Sequence, residues 1–408
     1  MRRLTRTRLM AMLAGALCAG LAATWAVGEV LDQRQLARRD AQEVERMTQK
    51  MKTVCIGRFL IDMPVEAELE LRGARIDGFD ISAFDETREE FQKRIAEFES
   101  QVSARPDRLG GNKNLESVKD VRIDSGLVGK IFMHSRTVVE GTQGNGLGVE
   151  PYRHEGISVH ALVHGNGVSI DLSSEDRGLA WLDDLPKLVN KLVANPANRI
   201  PAETGFCMDR TYFRDPLTAD QGERIMMSAG LPSHPDIDFM LILAAGIKPD
   251  KEGLLKRSSA AVGRLTMADR MRVSTLRAAP RTIGGLAGEE IVKAVSEKND
   301  ARVHSFWWEV DGIEDQVLVP HVVFKMTTGK GNHQPVPSSL SDEAALALWD
   351  RITSGIRLHS RQPRPGGKLA PPAPPATTPS AGQASPLGLS KDRNPFDWCR
   401  CAAPSLHS

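Results

Sequence analysis

Along most of the chain apolar and polar residues alternate with a period of two, the mark of half-buried strands. CIGRFLIDMP at 55–64 starts a strand through Ile56, Phe59 and Ile61, and ARIDGFDIS at 74–82 reads as a second short strand. The period then changes. Phe84, Phe91, Ile95, Phe98 and Val102 fall on one helical face, which predicts a helix from Arg88 to Val102 with Asp85 as its cap. KIFMHSRTVV, after the turn residues Gly126–Gly129, returns to a strand. GISVHALVHGNGVSIDLS is a hairpin turning at Asn166-Gly167. LAWLDDLPKLVNKLV at 179–193 closes this run as a helix containing Trp181, with Pro186 as a kink or as its start.

The same order then recurs. CMDRTYFRDP at 207–216 repeats the opening frame, with Cys first, Arg three later and Pro nine later. HPDIDFMLIL at 234–243 is strand-like, and EGLLKRSSAAVG at 252–263 is a weaker helix. EEIVKAVSE follows a second Gly-Leu-x-Gly, at 285–288. RVHSFWWEVDG pairs with HVVFKMTT across a longer loop, and DEAALALWDRITSGI at 342–356 is a second Trp-bearing helix capped by Asp342. Four echoes in one order predict a tandem duplication of domain-sized units, each an antiparallel sheet with flanking helices in an α+β plan. The boundaries fall at 51–198 and 199–360, joined through NPANRIPAETG at 195–205.

The two ends differ from this body. Arg2, Arg3, Arg6 and Arg8 precede a charge-free run from Leu9 to Gly28, so residues 1–28 read equally as a signal peptide or a signal anchor. The positive-inside rule sends the chain after Gly28 across the inner membrane, and a juxtamembrane helical segment at 29–50 leads into the first domain. Residues 361–408 are Pro-rich and lack apolar periodicity, the composition of a disordered tail. The 408 residues carry a net charge of +1 and no basic stripe interleaved with aromatics, which excludes nucleic acid as a partner. Export to an oxidising compartment permits disulfides among Cys55, Cys207, Cys399 and Cys401. Cys55 and Cys207 open equivalent strands, and two readings stay open for them: a bridge tying the domains together, or two small buried thiols.

Catalytic chemistry is not legible. Nucleophile-elbow, zinc-protease, phosphate-loop and dinucleotide motifs are all missing, and GTQGNGLG at 141–148 reads as a flexible loop. His160 and His164 share a strand face, but neither His154 nor Asp171 is an obvious third ligand, so no metal or cofactor is expected. Cys399 and Cys401 lack a partner pair, and Asp183-Asp184 and Asp236/Asp238 read as solvated acids.

A membrane-targeting leader, then CIGRFLIDMP, then a second Cys-led copy with Gly-Leu-x-Gly and a terminal Trp helix resembles the immunity proteins of type VI secretion lipase effectors, in particular those opposing the fourth class. The resemblance spans about 50–358 and leaves the tail aside. It implies a periplasmic protein that is not an enzyme. Two domains would grip a cognate phospholipase of α/β-hydrolase type and block its substrate entrance or lid. Tyr152, one of only two tyrosines, and Trp308 of the Trp307-Trp308 pair are candidate partner contacts. The rival classes are an envelope structural or assembly protein and an envelope enzyme without a recognisable motif.

Overall fold

The computed structural model describes residue 35 and residues 38–359, except 108, 110–112, 145–147, 183–184, 215–221, 250–251 and 315. The expected leader at 1–28 and tail at 361–408 therefore lie outside the described residues, with Cys18, Asp183, Asp184, Pro216, Cys399 and Cys401. Among the described residues no helix is long and apolar enough to cross a membrane.

Strands dominate, and most of them share one sheet. In the first half β1 (Met51–Ile56) and β2 (Phe59–Pro64) form a hairpin. β3 (Glu68–Ile76), β4 (Phe79–Asp85), helix α2 (Arg88–Ala104), β5 (Leu115–Arg122), β6 (Val128–Gly144), β7 (Val149–Gly165) and β8 (Val168–Gly178) come after it. Short helix α3 (Leu185–Val189) and β9 (Leu192–Ala194) close the half. The second half repeats the order: hairpin β10 (Gly205–Met208) and β11 (Thr211–Arg214), then β12 (Glu223–Leu231) and β13 (His234–Ala245). Helices α4 (Leu254–Gly263) and α5 (Met267–Met271) come next. The half ends with β14 (Val273–Ile283), β15 (Leu286–Ser296), β16 (Arg302–Val310), β17 (His321–Thr328), helix α6 (Asp342–Thr353) and β18 (Arg357–Leu358). A helix α1 at 38–48 precedes them all.

The duplication is visible in the topology. A twelve-stranded sheet runs β14-β15-β16-β17-β13-β12-β3-β4-β8-β7-β6-β5. Read outward from its middle, each half has the same strand order, and the halves join where β3 lies antiparallel to β12. Antiparallel pairing of equivalent strands gives this seam a local pseudo-two-fold axis. The expectation of a separate sheet in each domain is thus corrected: one sheet crosses both. The seam strands carry the reason in their sequences. Ile225, Met227, Ala229 and Leu231 of β12 are buried while the residues between them are not. Buried on one face and hydrogen-bonded along both edges, β12 has no free edge to separate the halves.

The two small sheets show exchange. β9, at the end of the first half, pairs with β11 of the second. β18, at the end of the second, pairs with β2 of the first. Leu192–Ala194 are therefore strand, not the end of a Trp helix. The predicted helix at 179–193 shrinks to one 3-10 turn at Leu179–Trp181 and the five residues of α3.

Other local expectations are also revised. Residues 74–82 are two strands, turned at Asp77-Gly78 with φ of 49° and 78°. Helix α2 is capped by Thr87 in a capping box with Glu90, and α6 by Ser341, so Asp85 and Asp342 are not the caps. The Asn166-Gly167 turn has positive φ at both residues, as its hairpin requires.

Alternation sorts side chains onto the two faces of the sheet. Ile131, Ala161 and Val163 face a large core shared by both halves, which includes Trp308, Trp349, Phe206 and Phe213. Phe132 and Leu162, their strand neighbours, face the other way, under Phe91 and Ile95 of α2. Val44 and Met47 of α1 also enter the shared core, and Asp40 and Glu43 reach Ser341 and His234 of the second half. The described part of the segment 29–50, expected beside a membrane, is therefore packed onto the body.

Candidate partner-binding surface

The repeated Cys-x-x-Arg frame builds the junction between the halves. In the structure Cys55 and Cys207 are joined by a disulfide with Cα atoms 5.7 Å apart, and both are buried. Beside it, Gly57 and Cys207 exchange two backbone hydrogen bonds of 2.8 Å. Gly57 has φ +55°, and a Cβ there would meet Leu243, Phe206 and Ile225 at 3.1–3.3 Å. Any other side chain there would be both strained in the backbone and crowded by these three residues.

The frame's arginines each reach across to the other half, Arg58 to a buried carboxylate and Arg210 to an exposed one. Arg58 reaches Glu223 of β12 with Nη2–Oε1 at 2.7 Å and Nε–Oε2 at 2.9 Å. Arg210 reaches Asp85 of β4 at 3.1 Å. Their carbonyls accept from the residue after each exchanged strand, His359 for Arg58 and Asn195 for Arg210. Each arginine thus belongs to one half by sequence and grips the other by contact. The junction is a rigid mount for whatever surface the halves present.

The halves are not identical in what they present. β6 and β7 stay paired to Gly144 and Val149, whereas their flanking strands stop at Leu115↔His134 and Gly156↔Gly178. Residues 137–144 and 149–155 therefore form a two-stranded arm beyond the sheet's edge. The equivalent hairpin of the second half, β15–β16, turns at 297–301 with neighbours paired almost to its end. Hence the arm is an addition to one copy. Residues 141–144, expected as loop, are strand.

Cross-strand partners share a face of the arm. One face is ionic: Glu140 pairs with Arg153, and Arg153 with Glu155 at 2.6 Å. The other carries Val139, Gly141, Tyr152 and His154. Tyr152 lies across Gly141, where an added Cβ would come within 2.7 Å of the ring. The ring is held in place yet 39% exposed, beside Val139 at 45%. A fixed, half-exposed tyrosine is a residue type enriched at the centres of protein interfaces. The second half has its own addition, α5, whose Met267 and Met271 are 73% and 80% exposed.

Trp308 is not a partner contact. It is fully buried in the shared core, and its Nε1 donates to the Arg281 carbonyl at 3.0 Å. Trp307, its neighbour on the opposite face, is the partly exposed one, with the Lys325 ammonium 3.6 Å from its ring centroid.

The histidines face α2. His160 contacts His134 at 3.0 Å and lies 5.0 Å from the Phe98 ring, while His164 stacks on Phe91 and bonds Ser169. Burial pushes both below the ordinary imidazole range. Asp171 instead binds Arg94 at 2.7 Å, and burial pushes its carboxyl up although Arg94 pulls the other way. His154 faces Asp176 at 3.6 Å. The four candidates do not converge on one point. Asp236 is not solvated: it is buried and accepts from the Gly329 and Ser339 amides, both at 3.0 Å, tying down a loop. A small cavity of about 90 Å3 lies between Phe79, Trp181, Leu185 and Leu188. It has room for a few waters at most.

Sequence reasoning missed the arm and Glu223. The arm's signal was present, since 137–143 and 149–155 are strand-like on both sides of a Gly-rich turn.

Two family models match the chain. The one described as the Tle cognate immunity protein 4 N-terminal domain covers residues 52–145, and the one described as its C-terminal domain covers 199–361. Among solved structures, the immunity protein TplEi of the T6SS from Pseudomonas aeruginosa, complexed with "L" peptide, is 24% identical. It covers 76% of this chain and 98% of its own, with a TM-score of 0.59. Its apo structure is 23% identical, with 76% and 97% covered and a TM-score of 0.61. A chain of the Tle4-Tli4 complex gives the same values, 23%, 76%, 97% and 0.61. At these identities the likeness is one of fold. No curated protein sequence matches the chain.

Proposed function

Because the chain belongs to the Tle cognate immunity protein 4 family, we propose that it binds and inhibits a cognate phospholipase effector of a type VI secretion system. The observation that carries this reading is the match of both family domains, in order, to the two halves of one fold. The solved Tle4-Tli4 complex supports an effector of the Tle class as the partner.

The site of action in this reading is the periplasm, reached through residues 9–28 as a cleaved signal or as an inner-membrane anchor. A disulfide at the junction of the halves fits an oxidising compartment. The protein acts by occupation and not by chemistry: a rigid two-part body covers the lipase's substrate entrance or holds its lid. The copy-specific arm, with Tyr152 at its centre, supplies contacts to the effector.

The test is co-export. A lipase encoded beside this protein is directed to the periplasm alone or with residues 29–408. Killing by the lipase and rescue by this chain, with a complex recovered from the periplasm, is the expected result. A toxic lipase that is neither bound nor rescued would overturn the proposal.

A further inference from the structure

Three buried side chains from three separate segments meet at the junction: Cys55 of β1, Cys207 of β10, and His359 just after β18. Their ligand atoms lie within 4.8 Å of one another, and the His359 Nδ1 is 3.9 Å from the Cys55 Sγ. The far nitrogen of the ring, Nε2, is 3.0 Å from the Pro201 carbonyl. A carbonyl only accepts, so Nε2 must carry the proton, and the Nδ1 lone pair points toward the sulfurs. A backbone carbonyl that fixes the tautomer and orientation of an imidazole is the usual outer support of a metal-bound histidine.

We propose that, when the disulfide is reduced, Cys55, Cys207 and His359 form a site for zinc or a similar thiophilic divalent cation. The metal then replaces the covalent clip between the halves. Reduction by a phosphine adds two electrons and two protons across the S–S bond, giving two thiols, while water supplies the oxygen of the phosphine oxide. Binding Zn2+ displaces the two thiol protons to solvent and leaves two thiolates and a neutral imidazole as ligands.

The geometry fits. Tetrahedral zinc with Zn–S of about 2.3 Å and Zn–N of about 2.0–2.1 Å needs sulfurs about 3.8 Å apart, each about 3.6 Å from the nitrogen. The His359 Nδ1–Cys55 Sγ distance of 3.9 Å is already close to this, and the Cys207 Sγ lies within 4.8 Å of the same nitrogen. Only the sulfurs must part, as the loss of their bond makes them do. The elements carrying the three ligands are fixed independently, by the Gly57–Cys207 ladder and by the His359 amide on the Arg58 carbonyl.

The test uses the full chain with Cys18→Ser, Cys399→Ser and Cys401→Ser, so that only these two thiols remain. Co2+ is added after phosphine reduction, and Zn2+ is then used to displace it. One Co2+ per chain with a thiolate charge-transfer band, absent from the oxidised protein, is expected. His359→Ala should weaken binding at least tenfold, and its oxidised form reports whether that variant folds. Independently of any change at His359, Zn2+ should raise the Tm of the reduced protein. No band, a band indifferent to His359→Ala in a folded variant, or a Tm unmoved by Zn2+ would each overturn the proposal.

Discussion

Arg58 lies in the first turn of the first half, and its guanidinium grips Glu223, which opens the seam strand of the second, with both side chains almost wholly buried. The pair spans the junction and holds two hydrogen bonds in fork geometry. A buried charge stripped of its partner is far costlier than the pair itself. Glu223→Ala should therefore destabilise the fold by about 3–5 kcal/mol. Denaturant unfolding would check this, with both halves losing stability together because they share a sheet and a core. A loss under about 1 kcal/mol would mean that water replaces the carboxylate.

The disulfide closes a loop of 152 residues. Peptide mapping without reductant should recover Cys55 linked to Cys207. Replacing both by Ser should cost about 2–5 kcal/mol, the upper end being what the chain-entropy account gives for so long a loop. Free thiols at both positions would remove the basis for this prediction.

Asp342 pairs with Arg302 and His304, and these hydrogen bonds, that from Arg302 first, lower its carboxyl to about 2. An unfolded Asp titrates near 3.9. The depressed group binds fewer protons folded than unfolded, so its stabilisation is complete above about pH 4 and lost as pH falls toward 2. Solvent screening at this partly exposed site limits the effect to about 1 kcal/mol. Asp342→Asn should flatten the acid limb of the stability curve in that window.

His160 and His164 titrate below the ordinary imidazole range because burial disfavours their charged forms. His160 faces His134, Phe98, Arg105 and Glu175, while His164 faces Glu86, Phe91, Ser169, Arg88, Glu89 and Arg94. The unfolded state binds the proton first, so stability is full above about pH 6.5 and falls as the pH drops below it. Helix α2, which covers these rings, should lose hydrogen-exchange protection first. His160→Gln should blunt that acid response.

Tyr152→Ala touches only the arm, so it should change stability by less than about 1 kcal/mol. Under the immunity reading it should weaken effector binding by about 2 kcal/mol or more, measured by titration calorimetry. Shortening residues 138–155 to a two-residue turn should leave the fold intact and abolish rescue. Full rescue by the shortened chain would place the contacts elsewhere.

The duplication was legible because turns and caps repeat locally, at Cys-x-x-Arg and Gly-Leu-x-Gly. The single sheet was not. Its seam depends on β3 and β12, and the Leu69/Leu71 and Ile225/Met227/Ala229 alternations do show two strands. However, alternation shows that a strand has a buried face, not which strand lies beside it. Treating Asp77-Gly78 as part of a strand hid β3 altogether. The Trp helix at 179–193 was over-read because Leu188, Val189 and Leu192 suit either period in so short a run. The Tyr152 surface was legible only as composition, because its exposure depends on where β5 and β8 stop.

The exchanged strands also set an order in time. A chain leaves the ribosome, or a membrane pore, with its N-terminus first. The hairpin β1–β2 is then among the earliest segments available, yet its third strand, Arg357–Leu358, is among the last of the folded body. Glu223 and Cys207, which hold Arg58 and Cys55, also arrive late. The first-made half must wait, open along β3 and β2, until the second has emerged and β18, the last of the described strands, has paired with β2.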